Sequence, residues 1–163
     1  MKISRPKGLE RILGRPPIHP VPFVLAKVAI GVSIGILAVE AFRPRKRRRI
    51  LPVAAAVPIA AAGIALVVAG STGLGESLRV GLPREETDLR TDGMYAYTRN
   101  PIYAGIFLAS AASLAAVPTL LNGAAAAAGI AGHHAIVLAE ERFLRERFGG
   151  AWERYAATVP RYV

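Results

Sequence analysis

The chain has 163 residues, of which 53% are hydrophobic, a formal net charge of +10 and no cysteine. The absence of cysteine excludes disulfide frameworks and thiolate chemistry. The apolar residues fall in uncharged runs, residues 51–71 and 101–139, that are long enough to cross a bilayer. We therefore predict an all-α polytopic membrane protein with about four transmembrane helices. Its basic residues are expected to contact lipid headgroups and not nucleic acid.

The first predicted span, residues 20–42, follows a basic arm, residues 1–19, that is rich in Pro and Gly. Polar, Pro-rich sequence separates the first basic residues from this span, so we expect it to be retained and not cleaved as a signal peptide. Lys27 and Glu40 are the only charged residues in the span. Both lie near an end of it and can extend toward the membrane surface.

The first span also contains Gly31 and Gly35, a G-x-x-x-G pair that would let another helix approach closely. A dense cationic turn, residues 43–49, then leads into a second predicted span, residues 51–70. Residues 20–75 are therefore predicted to form two transmembrane helices joined by a basic turn.

A polar, charge-dense loop, residues 82–98, separates the second span from the third, residues 101–117. Pro101 suits the first turn of a helix, where its missing N–H has no cost. Asn100 is a favoured N-cap residue. The third helix is thus predicted to begin at Asn100-Pro101.

The fourth predicted span begins near Thr119 and consists mainly of Ala and Gly, which favours packing against neighbouring helices. Strong helix formers continue the pattern beyond the bilayer as far as Gly149, which ends it. Trp152 and Tyr155 then stand among arginines. That mixture is typical of an interfacial helix that anchors a protein in the membrane.

Groups that could carry chemistry gather at one end of the third and fourth spans. A helix that begins at Asn100-Pro101 offers partial positive charge and free N–H groups, and Arg99 precedes it. If the two spans form a hairpin, Glu140 and Glu141 lie near the same membrane surface. A carboxylate there would hold a cationic or amine-bearing ligand.

Two histidines, His133 and His134, lie within the fourth span. Ionisable residues inside a bilayer raise a functional hypothesis, and the alternative is a hydrogen bond to another helix. Adjacent side chains on a helix point about 100° apart, so the two rings cannot face one ion. No metal site is predicted.

The order and spacing of three motifs resemble the isoprenylcysteine carboxyl methyltransferase family and its phospholipid methyltransferase relatives. The signature R-H-P-x-Y-x-G is matched by R-N-P-I-Y-A-G at residues 99–105, and E-E-x-x-L is matched at residues 140–144. The closing pattern F-G-x-x-(W/Y)-x-x-Y-x-x-x-V-P-R is matched at residues 148–161. Asn100 replaces the histidine of the signature, and an amide cannot transfer a proton near neutral pH.

The resemblance implies a multi-pass membrane methyltransferase that uses S-adenosyl-L-methionine and methylates a lipophilic small molecule or lipid entering from the bilayer. By position, the implied catalytic residues are Arg99, Asn100 and Glu141. The implied cofactor-binding residues are Thr87, Asp88, Leu89, Arg90, Tyr95, Asn100, Pro101, Tyr103 and Glu140. The acceptor's identity and the oligomeric state stay open at this point.

Because the implied cofactor is cytosolic, the polar loop and the C-terminal tail of this cell-membrane protein are expected to face the cytoplasm. Residues 1–19, 78–100 and 142–163 hold fourteen basic residues that would then lie inside, and the turn at residues 43–49 holds six that would lie outside. The predicted organisation is a basic arm at residues 1–19, two spans at 20–75 and a catalytic region at 76–163.

Two alternatives share these features. One is a non-enzymatic membrane scaffold with the same fold. The other is an NADPH-dependent membrane enzyme of the sterol-reductase type. Binding of S-adenosylhomocysteine separates the scaffold from the methyltransferase, and nucleotide preference separates the reductase from both.

Overall fold

The computed structural model describes residues 16–43, 45–46, 48–74 and 88–162. These residues contain no strand, which confirms the all-α prediction. They form five α-helices: α1 (Pro20–Phe42), α2 (Val53–Leu74), α3 (Pro101–Ala116), α4 (Leu120–Phe148) and α5 (Gly150–Thr158). One 3-10 turn, Gly93–Ala96, precedes α3.

Three of the described helices, α1, α2 and α4, are long and apolar enough to cross a membrane. The fourth apolar helix, α3, has 16 residues and a length of about 24 Å. The prediction of about four transmembrane helices is thus met by three full-length spans and one shorter helix. Large apolar side chains on α1, such as Val24, Leu25 and Val28, are more than half exposed. Such a surface suits lipid, and the chain is a polytopic membrane protein.

Local sequence sets the predicted helix ends. The Thr119 hydroxyl accepts a hydrogen bond from the backbone N–H of Asn122 at 3.2 Å and caps α4. Gly149, with φ of 50°, ends α4 in a conformation that a side chain would disfavour. Asn100 is the N-cap of α3, as predicted, but its side chain makes no capping hydrogen bond. That amide is therefore left for other partners.

Glycines bring the helices together in two pairs. A Cβ atom on Gly105 of α3 would overlap the carbonyl oxygen of Gly63 on α2. A Cβ atom on Gly129 of α4 would lie 2.8 Å from the backbone nitrogen of Ile30 on α1. The backbones of α2 and α3, and those of α1 and α4, therefore pack directly against each other.

The prediction of a close approach at Gly31 and Gly35 is wrong for the described residues. A Cβ atom on either glycine would meet nothing within 4 Å. The reason is the direction in which α1 faces: Ala26 and Ile30 are buried, and they turn toward α4. The spacing of two glycines alone does not determine which face of a helix finds a neighbour.

We expect Gly105→Ala to lower the free energy of unfolding by about 1–3 kcal/mol, because the new methyl group meets a backbone carbonyl that cannot rotate away. The matched control is Gly31→Ala, which has space around it and should gain up to about 1 kcal/mol of helix propensity. Thermal unfolding in detergent measures both changes. Equal midpoints of thermal unfolding for the two variants would contradict a tight backbone contact between α2 and α3 at Gly105.

Buried hydroxyl and amide groups join three helices at the end of the bundle away from Gly105. Ser33 on α1 donates to Asn122 Oδ1 on α4 at 2.8 Å, and Asn122 Nδ2 donates to Ser113 Oγ on α3 at 3.2 Å. All three side chains are fully buried. In an apolar medium such hydrogen bonds stabilise helix association.

Candidate functional site

A cavity of about 300 Å³ lies at the opposite end of the bundle, where α3 begins and the apolar part of α4 ends. Its volume is at the lower limit of the range for small-molecule sites. The lining side chains are Lys27, Ser71, Leu74, Tyr95, Arg99, Asn100, Ile102, Tyr103, Ile106, Glu140, Glu141, Leu144 and Trp152. Every described helix contributes at least one of them.

The cavity brings together most of the residues implied as catalytic or cofactor-binding. Those that line it are Tyr95, Arg99, Asn100, Tyr103, Glu140 and Glu141. Pro101 is buried beside the cavity against Gly70 of α2. Asp88, Leu89 and Arg90 are described but do not line it, and Thr87 lies outside the described residues. The individual roles stay predictions, while the predicted meeting of residues 99–103 with the glutamate pair is observed.

Arg99 joins the loop before α3 to the tail. Its backbone N–H donates to the carbonyl of Pro160 at 2.9 Å, and its Nη1 donates to Ala156 at 2.7 Å and to Val159 at 3.2 Å. The last two carbonyls belong to the C-terminal end of α5, where a cation is favoured by the helix dipole. The guanidinium also lies 5.6 Å from the ring centroid of Trp152. Arg99 therefore holds the loop before α3 against the tail.

Glu141 is occupied by protein donors on both oxygens. Oε1 accepts hydrogen bonds from Arg99 Nε and Asn100 Nδ2, each at 3.2 Å. Oε2 accepts from Arg161 Nε at 3.0 Å and Nη2 at 2.8 Å. These hydrogen bonds raise the pKa of the Arg161 guanidinium. The carboxylate is thus a structural centre that holds the loop and the tail against α4.

Asn100 contributes to the same junction through its amide. Besides Glu141, its Nδ2 reaches the backbone carbonyl of Arg161 at 3.3 Å. A side chain with two N–H donors can serve both acceptors, whereas a neutral imidazole has only one N–H. This gives a structural reason for an amide at the position where the family signature has histidine.

Two tyrosines complete the junction under the 3-10 turn. The Tyr155 hydroxyl donates to the carbonyl of Tyr95 at 2.7 Å, and the Tyr95 hydroxyl donates to the carbonyl of Gly70 at 3.3 Å. Burial raises the pKa of Tyr155 to about 12 and also raises the pKa of Tyr95. Both phenols therefore stay protonated and keep donating at neutral pH.

Glu140 differs from its neighbour Glu141 because it has few protein partners. Its Oε1 accepts a hydrogen bond from the Tyr103 hydroxyl at 2.9 Å. No described residue donates to its other carboxylate oxygen. The His133 ring packs against the Tyr103 ring, with 5.8 Å between the ring centroids. A carboxylate that lines a cavity and keeps an unoccupied oxygen can accept a hydrogen bond from a cationic ligand.

The two histidines make separate hydrogen bonds and do not line the cavity. His133 Nδ1 lies 2.8 Å from the carbonyl of Gly129, one turn earlier on the same helix. His134 Nδ1 lies 2.9 Å from the Tyr162 hydroxyl in the tail. The expected hydrogen bond to another helix is therefore found for neither ring: His133 bonds within α4, and His134 bonds to the tail. No group of three metal-ligating side chains occurs among the residues described.

Several residues of the cavity wall were not predicted as site residues, and for two of them, Trp152 and Lys27, the sequence predicted a different place. Trp152 was expected to anchor the chain in the membrane, and this is wrong: it is 2% exposed and packs beneath Arg99. The same aromatic residue among arginines suits either environment, so composition alone could not decide. Lys27 was expected to extend toward the surface, yet it lines the cavity. A single lysine within an apolar span was the available signal.

Comparison with known proteins gives one match. A family model described as phospholipid methyltransferase matches residues 51–151, which run from the residues before α2 to the start of α5. No curated protein and no solved structure matches the chain. The matched segment includes Asn100 and both glutamates of the cavity, whereas Lys27 and Trp152 lie outside it.

Proposed function

The chain belongs to the phospholipid methyltransferase family, and from this premise we propose that it transfers a methyl group from S-adenosyl-L-methionine to a lipophilic acceptor in the membrane. The observation that carries the proposal is Glu140. It lines the cavity, is held by Tyr103, and keeps one oxygen free of donors among the described residues.

The residues present fit this cofactor. Glu140 and Tyr103 would hold its cationic polar end, because a carboxylate and a hydroxyl accept hydrogen bonds from an ammonium group. Ile102, Ile106 and Leu144 supply an apolar wall for its less polar parts. Arg99 and Glu141, two further charged lining groups, form an ion pair with each other, so they would not compete for it.

When bound, S-adenosyl-L-methionine supplies an electrophilic methyl group on a cationic sulfur. The protein's contribution is to align donor and acceptor and to exclude water, which can supply much of the rate. Glu141 is engaged by four donors and neither histidine lines the cavity. This supports an acceptor that attacks without deprotonation by a histidine, such as a carboxylate, a thiolate or a neutral amine.

The packing of the first two helices supports access from the side. At the end away from the cavity described above, Leu37 of α1 and Ala56 of α2 share one core cluster. Near the cavity, Phe23 of α1 instead packs with Ile136 of α4, and Gly70 of α2 faces α3. The two helices therefore have different neighbours at the cavity end. We infer that a lipophilic acceptor reaches the cavity between α1 and α2.

The proposed orientation puts the cavity and the tail on the cytoplasmic side of the cell membrane. It rests on the cytosolic source of the cofactor and on the excess of basic residues in the segments that would lie inside. The turn at residues 43–49 would then face outward. A cysteine introduced at Lys46, which is exposed, should react with a membrane-impermeant thiol reagent added from outside.

We expect S-adenosylhomocysteine to stabilise the purified protein by about 2.7 kcal/mol at a concentration one hundred times its Kd, because the ligand binds only the folded state. The measurement is thermal unfolding in detergent, with NADPH in a parallel sample. Stabilisation by NADPH alone would support the reductase alternative, and stabilisation by neither would support the scaffold.

Membranes incubated with the methyl-labelled cofactor should yield a labelled product in the lipid phase, which identifies the acceptor. Labelling only of water-soluble products would contradict a lipophilic acceptor and access from the bilayer.

A further inference from the structure

Lys27 is an unusual residue for its place in the fold. It is the eighth residue of α1, about 10 Å along the helix from Pro20. Its ammonium lies 4.7 Å from the ring centroid of Phe23, one turn earlier, and its side chain lines the cavity. A charged group at this depth is costly and is tolerated when it faces a polar cavity or a partner. The side chain therefore points toward the site and not toward lipid.

The remaining charges of the cavity wall sort into two sets. Arg99 and Glu141 form an ion pair at 3.2 Å, and Arg161 adds a second ion pair to Glu141 at 2.8 Å. Lys27 and Glu140 are left over. They form no direct ion pair with each other among the described residues, although both line the cavity. The cavity thus presents one cation and one anion that are separated from each other.

A zwitterionic ligand complements such a pair, because its cation can bind Glu140 while its anion binds Lys27. An α-amino acid group, with an ammonium and a carboxylate on one carbon, has this chemistry. Binding it would give each of the two charges a partner of opposite sign. The two residues are on α1 and α4, which pack directly against each other, so their positions are fixed by the fold.

We propose that Lys27 binds the carboxylate of the amino acid group of S-adenosyl-L-methionine, opposite Glu140, and so selects ligands that carry this group. The proposal rests on the proposed function. It also gives α1, which precedes the matched segment, a direct part in the cofactor site. An anionic headgroup on the lipid acceptor could bind Lys27 through the same chemistry. The experiment below distinguishes this headgroup from the cofactor's carboxylate.

The test is calorimetric binding of two nucleosides to purified full-length protein in detergent. S-adenosylhomocysteine carries the amino acid group, and 5′-methylthioadenosine lacks it. We expect Lys27→Met to weaken binding of S-adenosylhomocysteine by about 10- to 100-fold, the usual effect of losing a hydrogen bond between charged groups. Binding of 5′-methylthioadenosine should change by less than about twofold, because that ligand has no carboxylate for Lys27 to bind.

Two further variants complete the design. Lys27→Arg keeps the cation and should restore most of the affinity for S-adenosylhomocysteine. Lys46→Met removes an exposed lysine at the other end of the bundle and should leave the affinity for both ligands unchanged. Unchanged binding of 5′-methylthioadenosine also verifies that the Lys27→Met protein is folded.

The outcomes distinguish this inference from the proposed function. Failure of the wild-type protein to bind S-adenosylhomocysteine would overturn both. Equal affinity of wild type and Lys27→Met for it would overturn only the role of Lys27. An equal loss of affinity for both nucleosides would show that Lys27 stabilises the fold and does not bind the carboxylate. A raised KM for the lipid acceptor with unchanged nucleoside binding would assign it to the acceptor's headgroup and overturn the proposal.

Discussion

Glu141→Gln is expected to lower the free energy of unfolding by about 3–5 kcal/mol, the usual cost of removing one partner from a buried ion pair. The carboxylate is 7% exposed and accepts four hydrogen bonds from three residues. Glutamine keeps the shape and one acceptor oxygen but leaves Arg99 without an anion. In a protein of this size the midpoint of thermal unfolding should fall by roughly 6–20 °C.

The matched control for this change is Glu146→Gln. Glu146 is on the same helix and is exposed, so its loss should change the free energy of unfolding by no more than about 0.5 kcal/mol. Thermal unfolding in one detergent compares both variants with the wild type. If Glu141→Gln unfolds at the same temperature as the control, the junction between loop, tail and α4 does not stabilise the fold.

Glu140→Gln is expected to weaken binding of S-adenosylhomocysteine by about 100-fold while leaving the unfolding midpoint near that of the wild type. The residue holds one protein group, the Tyr103 hydroxyl, and the glutamine carbonyl can still accept that hydrogen bond. What the change removes is the negative charge facing the cavity. Calorimetric titration measures the affinity, and thermal unfolding without ligand measures the stability.

The comparison with Glu141→Gln makes this prediction specific. Two adjacent carboxylates of the same helix should give opposite results, one a loss of stability and the other a loss of affinity. Glu146→Gln again serves as the control and should bind the ligand as the wild type does. A Glu140→Gln protein that binds S-adenosylhomocysteine normally would remove the observation on which the proposed function rests.

Helix positions were largely predictable because each depends on neighbouring residues. Pro101 at the start of α3 and Gly149 after α4 act within one turn of the helix end that each determines. The helix α2 continues to Leu74, past the predicted end at residue 70. Within this extension the Thr72 hydroxyl donates a hydrogen bond to the carbonyl of Ala69 at 3.0 Å. A polar residue of this kind can stay helical, so loss of hydrophobicity did not mark the helix end.

The meeting of residues 99–103 with the glutamate pair was predictable, whereas the neighbours that each side chain contacts were not. Spacing placed Glu140 and Glu141 near Arg99, but adjacent residues on a helix point about 100° apart and meet different neighbours. One faces two arginines and the other faces the cavity. The same limit applies to Trp152 and Lys27, whose surroundings are set by helices distant in sequence. No local pattern specifies those contacts.

The attachment of the loop before α3 to carbonyls at residues 156–161 has a consequence for biosynthesis. The ribosome makes this stretch after all four apolar helices, so the membrane insertion of those helices can precede its arrival. Until then Arg99 and Asn100 lack their backbone acceptors and the cavity wall is incomplete. A nascent chain can thus be embedded in the bilayer before the cavity wall is complete.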